Sequence, residues 1–117
     1  MASFYRVNRM RELFMRETTD IIRRLKDPRI RFVTVIDTEL SRDLSFAKIF
    51  VNVMGDDEEQ KQVFEALKNS EGFIRRQLAQ RIPLRYIPEI RLEYDYTAER
   101  AARIETLLSE IHVRDGD

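Results

Sequence analysis

The chain has 117 residues, of which 43% are hydrophobic and 36% are charged, a length and composition suited to one globular domain. It holds no cysteine, one histidine and three glycines. Thiolate chemistry, histidine metal clusters, Ser-His relays and glycine-rich phosphate loops are therefore excluded, which removes most catalytic classes. We predict no cofactor, no metal and no small-molecule substrate. With no apolar run long enough for a membrane span and no signal-peptide pattern, we predict a cytoplasmic protein with no membrane partner.

The net charge is zero, but the charges are unevenly distributed along the chain. Residues 1–31 carry nine basic and four acidic side chains, and residues 72–91 carry five arginines and one acid. Residues 32–71 and 92–117 are acidic, with net charges of −5 and −4. Arginine pairs bidentately with phosphate and stacks on bases. The distribution indicates a cationic side suited to nucleic acid, while solvated helix faces with neutralising neighbours are an equally good explanation.

Residues 4–25 are predicted to form a long amphipathic helix, because apolar residues recur at helical spacing along one stripe. Four arginines cluster on roughly the other side, namely Arg6, Arg9, Arg16 and Arg23. The helix is expected to stop at Asp27-Pro28, because proline disfavours a helical conformation in the residue before it. Lying on a membrane surface or packing against a partner helix are alternatives for this segment.

Two strands are predicted next, over residues 30–40 and 44–54, with the turn residues Ser41-Arg42-Asp43 between them. The second strand alternates, so one face is made by Ala47, Ile49, Val51 and Val53. Phe46 and Phe50 share the other face, which is a weak likeness to an RNA-recognition motif; that fold begins with a strand, however, and this chain begins with a helix.

Four acidic residues, 56–59, open a helical pattern that continues to residue 82 with one interruption. Because negative charge in a first turn favours the helix dipole and caps N–H groups, we interpret these acids as capping residues and not as a metal site. The interruption, Asn69-Ser70-Glu71-Gly72, predicts a kink or a tight break between two helices. Past it, Arg75 and Arg76 lie roughly opposite the apolar stripe. Small residues there allow phosphate to approach the backbone, although an ordinary turn with solvated arginines is the alternative.

A third strand is predicted after the connector between Pro83 and Pro88, with alternating Ile90, Leu92, Tyr94 and Tyr96. Thr97 is expected to cap a last helix over residues 98–112, whose apolar face consists of Ala101, Ile104, Leu107, Leu108 and Ile111. His112 is expected to cap carbonyls at the end of that helix.

The element order therefore reads helix, strand, strand, helix, kink, helix, strand, plus a C-terminal helix. This order predicts an α+β fold with a three-stranded sheet and the helices on one face. It is the order of a type II KH-like domain, in which a GXXG loop between the middle helices clamps nucleic-acid backbone. Here Ser70-Glu71-Gly72 stands at that point. We predict one KH-like RNA-binding domain over residues 1–112 and a frayed tail over residues 113–117.

Four segments, within a likeness that covers about residues 3–111, resemble the ribosome-binding factor A family. They are Lys26-Asp27-Pro28-Arg29, Leu40-Ser41-Arg42-Asp43-Leu44-Ser45-Phe46-Ala47-Lys48-Ile49, Ser70-Glu71-Gly72-Phe73-Ile74-Arg75, and Ile82-Pro83-Leu84-Arg85-Tyr86-Ile87-Pro88-Glu89-Ile90 leading into Tyr94-Asp95. Ser70 stands where the family usually has alanine at its helix kink. Because serine is small, we expect the kink to persist, with a hydroxyl able to bond to the backbone.

The resemblance implies a protein that binds the free 30S ribosomal subunit and its 16S rRNA, and that assists late 30S maturation, including 16S 5′-end processing. It also implies support for growth in the cold, without catalysis. Nothing in the sequence demands more than a monomer. From charge and from the position of the kink, we predict that the RNA-binding residues are Arg6, Arg9, Arg16, Arg23, Ser70, Gly72, Arg75, Arg76, Arg81 and Arg85.

Two other functions remain open at this point. One is a generic RNA-binding domain or helix-partner module unrelated to ribosome assembly. The other is a metal-dependent nuclease, for which the candidate carboxylates near strand ends are Asp37, Glu39, Asp43 and Asp95.

Overall fold

The computed structural model describes residues 4–115, with side chains described for residues 6–111. Over these residues the chain forms four helices and three strands in the predicted order, which confirms the α+β class. They are α1 (Phe4–Arg23), β1 (Val33–Leu40), β2 (Phe46–Val53), α2 (Asp57–Asn69), α3 (Glu71–Arg81), β3 (Glu89–Tyr94) and α4 (Thr97–Asp115).

The strands form one sheet in the order β1-β2-β3. Strands β1 and β2 are antiparallel, and their ladder is interrupted by an irregularity between Val35 and Asp37. Strands β2 and β3 are parallel, which requires a long crossover that α2 and α3 provide. The hairpin between β1 and β2 is closed as the turn chemistry predicts, because Ser41 Oγ accepts hydrogen bonds from the Ser45 and Phe46 N–H groups.

Helices α1, α3 and α2 cover one face of the sheet, with α3 between the other two. The predicted inward face of β2 is confirmed, since Ala47, Ile49 and Val51 are fully buried and Val53 is nearly so. The helices complete this core, chiefly through Phe14, Ile21, Leu67, Ile74 and Leu78. The apolar stripe of α1 packs into this core and is not presented to solvent, so the structure gives no support to the membrane-surface and partner-helix alternatives for this segment. In the part of the chain that the structure describes, no helix is long and apolar enough to cross a membrane.

The observed ends of α1, β1 and β2 differ from the predicted ends because of the local backbone conformation. Helix α1 ends at Arg23, two residues early, because Leu25 N–H bonds back to Ile22 O in a tighter turn. Strand β1 begins at Val33 and not at residue 30, because Phe32 has a φ of 57°, which breaks the extended conformation. Strand β2 begins at Phe46 for the same reason, since Leu44 has a φ of 58°.

The predicted break between the middle helices is confirmed at Ser70, which lies between α2 and α3. The Ser70 N–H donates to Ala66 O and Leu67 O, which ends α2. The Ser70 hydroxyl donates to Ala66 O at 3.1 Å, the backbone bond expected for serine at the kink. Gly72 lies inside the first turn of α3, so the break precedes the glycine.

Helix α4 is attached to the domain only near its start. The Thr97 N–H donates to the Asp95 carboxylate at 2.8 Å, so Asp95 is the capping acceptor and the prediction that Thr97 caps the helix is wrong. The Glu99 carboxylate accepts hydrogen bonds from Asn52, Gln60 and Tyr94. From Arg100 to Ile111 every side chain is exposed.

The predicted apolar face of α4 is consequently exposed, at 51–60% for Ile104, Leu107, Leu108 and Ile111. The helix projects from the domain and gives the molecule extents of 64 × 37 × 17 Å. It continues to Asp115, past the predicted end at residue 112. The side chain of His112 and residues 116–117 of the predicted tail lie outside the described part.

Candidate nucleic-acid interface

Three of the predicted arginines form a straight stripe on the exposed side of α1. Arg9, Arg16 and Arg23 are spaced seven residues apart and all are exposed. Seven residues are nearly two helical turns, so the stripe has a spacing of about 10.5 Å and a length of about 21 Å. Arg6, also exposed, lies at the N-terminal end of the same helix. The helix therefore presents a row of guanidinium groups to solvent.

The acidic residues around this stripe neutralise it only partly. Arg16 Nε lies 3.9 Å from Glu17 Oε1, but the Arg16 side chain remains 74% exposed. Arg24 forms an i,i+4 ion pair with Asp20 at 3.0 Å. Exposed pairs of this kind are weak and are screened by salt, so the stripe keeps most of its attraction for polyanions.

Arg81 joins α3 to α1. Its Nη1 lies 2.6 Å from Asp20 Oδ2 and 3.2 Å from Glu17 Oε2. The hydrogen bond to Asp20 is the main cause of a raised Arg81 pKa, and the same bond lowers the pKa of Asp20. Since two carboxylates neutralise this arginine, it fixes the two helices side by side and adds little to the positive field.

The kink places a second group of predicted residues at the start of α3. Gly72 is exposed, and a Cβ added there would meet Arg76 Nη1 at 3.5 Å, so the guanidinium lies beside the glycine backbone. Glu71 is turned toward the sheet, where its Oε2 accepts from the Leu92 N–H at 2.8 Å and from Lys68 Nζ at 2.9 Å. With that carboxylate engaged, the first turn of α3 offers backbone N–H groups and a cation to an approaching phosphate.

Arg75 and Arg85 lie toward the loop before β3. Arg75 Nε donates to Pro88 O at 3.3 Å, which ties α3 to that loop. Arg85 is exposed, and its guanidinium carbon lies 5.4 Å from the centre of the Tyr86 ring. Both arginines therefore border the same loop at one end of the helical layer.

Two exposed aromatic side chains near these arginines were missed by the sequence reasoning. Phe73 is 43% exposed and follows Gly72, while Tyr86 is 75% exposed and follows Arg85. Exposed rings beside arginines suit the stacking of unpaired bases. The sequence held the necessary signal for Phe73, because this residue falls outside the apolar phase of Ile74 and Leu78.

The packing sets the two groups of arginines on one side of the molecule. Helices α1 and α3 are neighbours, and each buries its opposite side against the sheet. The exposed sides of both helices therefore face away from the sheet together. We call this surface the cationic side; it comprises Arg6, Arg9, Arg16, Arg23, Gly72 and Arg76, with Ser70, Arg75, Arg81 and Arg85 at its borders.

Three of the four carboxylates considered for a nuclease are engaged elsewhere. Asp37 accepts from Arg11 Nε at 2.8 Å, and Asp95 accepts from the Thr97 N–H. Asp43 accepts from Ser45 and Ser41, and these hydrogen bonds lower its pKa. Among the described residues, no three acidic or histidine side chains are placed to hold a metal ion. The predicted capping role of the acids at residues 56–59 is confirmed, since Asp56 and Glu59 form a reciprocal capping box.

The helix-first order, the three-stranded sheet and the Ser70 kink define a KH-like α+β domain, the class of fold in which the junction of the middle helices meets nucleic-acid backbone. Its candidate surface is the cationic side, which includes that junction.

Comparison with known proteins identifies the family. The ribosome-binding factor A family model matches residues 6–108. The chain is 45% identical over 107 residues to ribosome-binding factor A of Halothermothrix orenii, which covers 91% of this chain and 88% of that protein. It is 39% identical to the Staphylococcus carnosus protein of the same name, over 94% of this chain and 96% of the other. The chain belongs to the ribosome-binding factor A family.

Solved structures agree with this assignment. The crystal structure of ribosome-binding factor A from Thermus thermophilus matches with a TM-score of 0.67 at 25% identity, over 75% of this chain and 93% of that one. A homology model of the Thermus thermophilus factor, fitted into a cryo-EM map of a complex with the 30S subunit, matches with a TM-score of 0.61 at 26% identity, over 73% of this chain and 90% of that one.

Proposed function

We propose that this protein binds the free 30S ribosomal subunit through its 16S rRNA and assists late 30S maturation, including 16S 5′-end processing. It acts in the cytoplasm as a monomer, by binding and not by catalysis, and it supports growth in the cold. Family membership supports the general role, and the Thermus relative is described in complex with a 30S subunit. The observation that carries the proposal for this chain is the cationic side formed by α1 and α3.

Contacts to phosphate supply most of the affinity in this proposal. The guanidinium stripe of Arg9, Arg16 and Arg23 follows a sugar-phosphate backbone, and the first turn of α3 receives a phosphate between Gly72 and Arg76. Phe73 and Tyr86 stack on unpaired bases. Affinity that depends on phosphate neutralisation falls steeply with salt, because each contact releases condensed counterions.

Co-sedimentation of the purified protein with isolated 30S subunits, 50S subunits and 70S ribosomes tests the function. We expect migration with the free 30S subunit alone. Equal binding to all three particles would replace the proposal with a generic RNA-binding function. Absence of binding even at low salt would refute it.

A charge-matched pair of variants tests the surface. The triple variant Arg9→Gln, Arg16→Gln, Arg23→Gln removes the stripe, while the control Arg42→Gln, Arg100→Gln, Arg103→Gln removes the same charge from exposed sites outside it. We expect weaker 30S binding only for the stripe variant, with the slope of log K against log salt reduced by about two, since each phosphate contact on single-stranded RNA contributes about 0.7. Equal losses in both variants would show that net charge, and not this surface, determines binding.

The exposed face of α4 favours one other function, that of a helix-partner module. Ile104, Leu107, Leu108 and Ile111 form an amphipathic stripe that the domain leaves uncovered. The helix-partner function would be supported if the protein bound no ribosomal particle but bound a helical partner through α4. Leu107→Asp would then abolish that interaction, whereas it leaves 30S binding unchanged under the main proposal.

A further inference from the structure

A cavity of about 410 Å³ lies at the edge of the helical layer, where α2 meets the end of β3. Its walls include the aromatic rings of Phe64, Tyr94 and Tyr96 and the charged side chains of Asp57, Lys61 and Glu65. Since α3 separates α2 from α1, this cavity is on the other flank of the domain from the arginine stripe.

Ring packing and hydrogen bonds hold the Phe64 and Tyr94 walls of the cavity in place. The Phe64 and Tyr94 rings meet edge to face with their centres 5.8 Å apart, and the Tyr94 and Tyr96 rings lie 4.7 Å apart at 49°. The Tyr94 hydroxyl shares its one proton between Glu99 Oε1 at 3.0 Å and Val53 O at 3.2 Å, and these contacts fix the orientation of its ring. Tyr96 is 54% exposed and forms the outer wall. A preorganised aromatic cavity of this kind loses little entropy when it takes up a ligand.

The charge of the cavity is negative. Asp57, Lys61 and Glu65 are spaced four residues apart on one side of α2, so two carboxylates flank one ammonium. In the part of the chain that the structure describes, no ion pair engages any of the three, although Lys68 and Arg81 do form such pairs. The surrounding turn adds Asp56, Glu58 and Glu59. A phosphate is repelled here, whereas a cation is attracted.

The rings of this cavity also differ from other exposed rings of the molecule. Arg85 lies over Tyr86 at 5.4 Å, and Arg91 lies over Phe46 at 5.8 Å, so the chain supplies those rings with a cation of its own. Within the described residues, no arginine or lysine lies over Phe64, Tyr94 or Tyr96. An aromatic wall beside carboxylates is the arrangement that recognises a guanidinium or ammonium group.

We propose that this cavity binds an arginine side chain of a basic protein segment. The guanidinium stacks on Tyr96 and is attracted by the carboxylates of Asp57 and Glu65, and its planar shape suits a flat ring better than the compact ammonium of lysine does. The protein then has two surfaces of opposite preference, a cationic side for RNA and an anionic cavity for a basic protein. This goes beyond the proposed function, because both ligand and site are different.

Titration of the ¹⁵N-labelled full chain with the peptide acetyl-Gly-Arg-Gly-amide tests the site by NMR. Citrulline replaces arginine in the control peptide, which keeps the shape and removes the charge. We expect saturable shifts at α2 and β3, and binding at least about tenfold weaker for the citrulline peptide. Tenfold corresponds to about 1.4 kcal/mol, within the reach of one cation–π contact plus charge-assisted hydrogen bonds. Equal binding of the two peptides would overturn the proposal.

Two matched pairs of variants locate the binding. Asp57→Asn with Glu65→Gln removes the carboxylates, and its control, Glu105→Gln with Glu110→Gln, makes the same change in charge at exposed sites of α4 outside the cavity. Tyr96→Leu removes the outer ring, and its control is Tyr86→Leu. We expect at least tenfold weaker arginine-peptide binding for the two cavity variants and unchanged binding for both controls. Equal weakening in variant and control would show diffuse electrostatic attraction and refute the site.

A second NMR titration, with RNA in place of the peptide, distinguishes this proposal from the proposed function. A uridine octanucleotide is expected to shift amides of α1 and α3 and to leave those of α2 and Tyr96 unchanged. Shifts confined to the cavity upon RNA addition would show that the cavity takes a base, which would overturn the arginine proposal. The stripe variant keeps arginine-peptide binding, so loss of 30S binding and loss of peptide binding are distinguishable outcomes.

Discussion

Arg81 of α3 donates a hydrogen bond to Asp20 of α1, with Arg81 Nη1 at 2.6 Å from Asp20 Oδ2. The two residues are 61 positions apart in the chain, and the same nitrogen also lies 3.2 Å from Glu17. This contact ties the C-terminal end of α3 to α1, the helix that carries the arginine stripe. The cationic side is therefore a product of tertiary packing, and its two halves are kept in register by a residue that is itself neutralised.

Replacing Arg81 should loosen this junction. In Arg81→Met the aliphatic stem is preserved, but Glu17 and Asp20 lose the contact that joins them to α3 and keep only Arg16 and Arg24 of their own helix, so the thermal unfolding midpoint is expected to fall. Because the contact is electrostatic and partly exposed, the difference from the parent protein should shrink at 1 M salt. Arg16→Met is the control, since Arg16 is mostly exposed and only loosely paired. An Arg81→Met midpoint equal to that of the control at low salt would show that the contact does not stabilise the fold.

Substitution of Gly72 is expected to affect the stability of the fold and the binding of the 30S subunit in opposite directions. Its backbone is helical, and an added Cβ would meet Arg76 only at an ordinary contact distance of 3.5 Å. Gly72→Ala is therefore expected to raise the free energy of unfolding, by up to about 1 kcal/mol, because alanine is the better helix former. The same methyl group covers the backbone that we propose to receive a phosphate, so 30S binding should weaken.

Urea unfolding of Gly72→Ala measures the free energy of unfolding, and co-sedimentation with 30S subunits measures binding. Ala79→Gly, on the same exposed side of α3, is the control; it should lower stability by a similar amount and leave 30S binding unchanged. A more stable Gly72→Ala protein with full 30S binding would remove the kink backbone from the interface.

Replacing a leucine by alanine should lower the free energy of unfolding by very different amounts at two sites, Leu67 and Leu107. Leu67 is fully buried in the core, whereas Leu107 of α4 is 51% exposed. Leu67→Ala is expected to cost about 2–5 kcal/mol, because it leaves a cavity among packed side chains. Leu107→Ala should change the free energy of unfolding by less than about 0.5 kcal/mol, since α4 lies outside the core. Urea unfolding curves measure both, and a large cost for Leu107→Ala would mean that α4 packs on the domain in solution.

Asp27 makes stability depend on pH at the acid end. Hydrogen bonds from the Arg29 side chain and N–H lower the Asp27 pKa from 3.8 to about 2. A carboxyl whose pKa is lower in the folded state stabilises the fold when ionised, so this contribution is complete above about pH 4 and is lost as the pH falls toward 2. Thermal midpoints measured from pH 5 to pH 2 should fall less steeply in Asp27→Asn. Arg29→Gln removes the partner and should flatten the curve similarly; an unchanged slope in both variants would contradict this assignment.

Much of this architecture can be predicted from the sequence because it depends on local patterns of residues. The alternation of Ala47, Ile49, Val51 and Val53 marks the inner face of β2, and Asp56 with Glu59 marks the start of α2. The segment Asn69-Ser70-Glu71-Gly72 predicts the kink because Asn, Ser and Gly together interrupt the helical pattern there. Each of these features depends on residues within one or two turns of chain, so spacing alone is enough to predict it.

Features that depend on backbone strain or on distant partners escaped the sequence reasoning. Positive φ values at Phe32 and Leu44 shorten β1 and β2, although phenylalanine and leucine rarely adopt such a conformation and so give no signal of it in the sequence. Asp95 takes the capping role that Thr97 was expected to play. The apolar stripe of α4 has the periodicity of a core helix, yet α1, α3 and α2 already cover the available face of the sheet, so the stripe stays in solvent.

The sequence by itself determined the order of the elements, the buried faces of β2 and β3, the kink and the likeness to ribosome-binding factor A. Only the tertiary structure decided which charges act together. It neutralised Arg81 with Asp20, aligned the exposed sides of α1 and α3, and enclosed Tyr94 and Tyr96 with the carboxylates of α2. The physical reason is that periodicity records the apolar side of each element, whereas the neighbours of its polar side depend on how the whole chain packs.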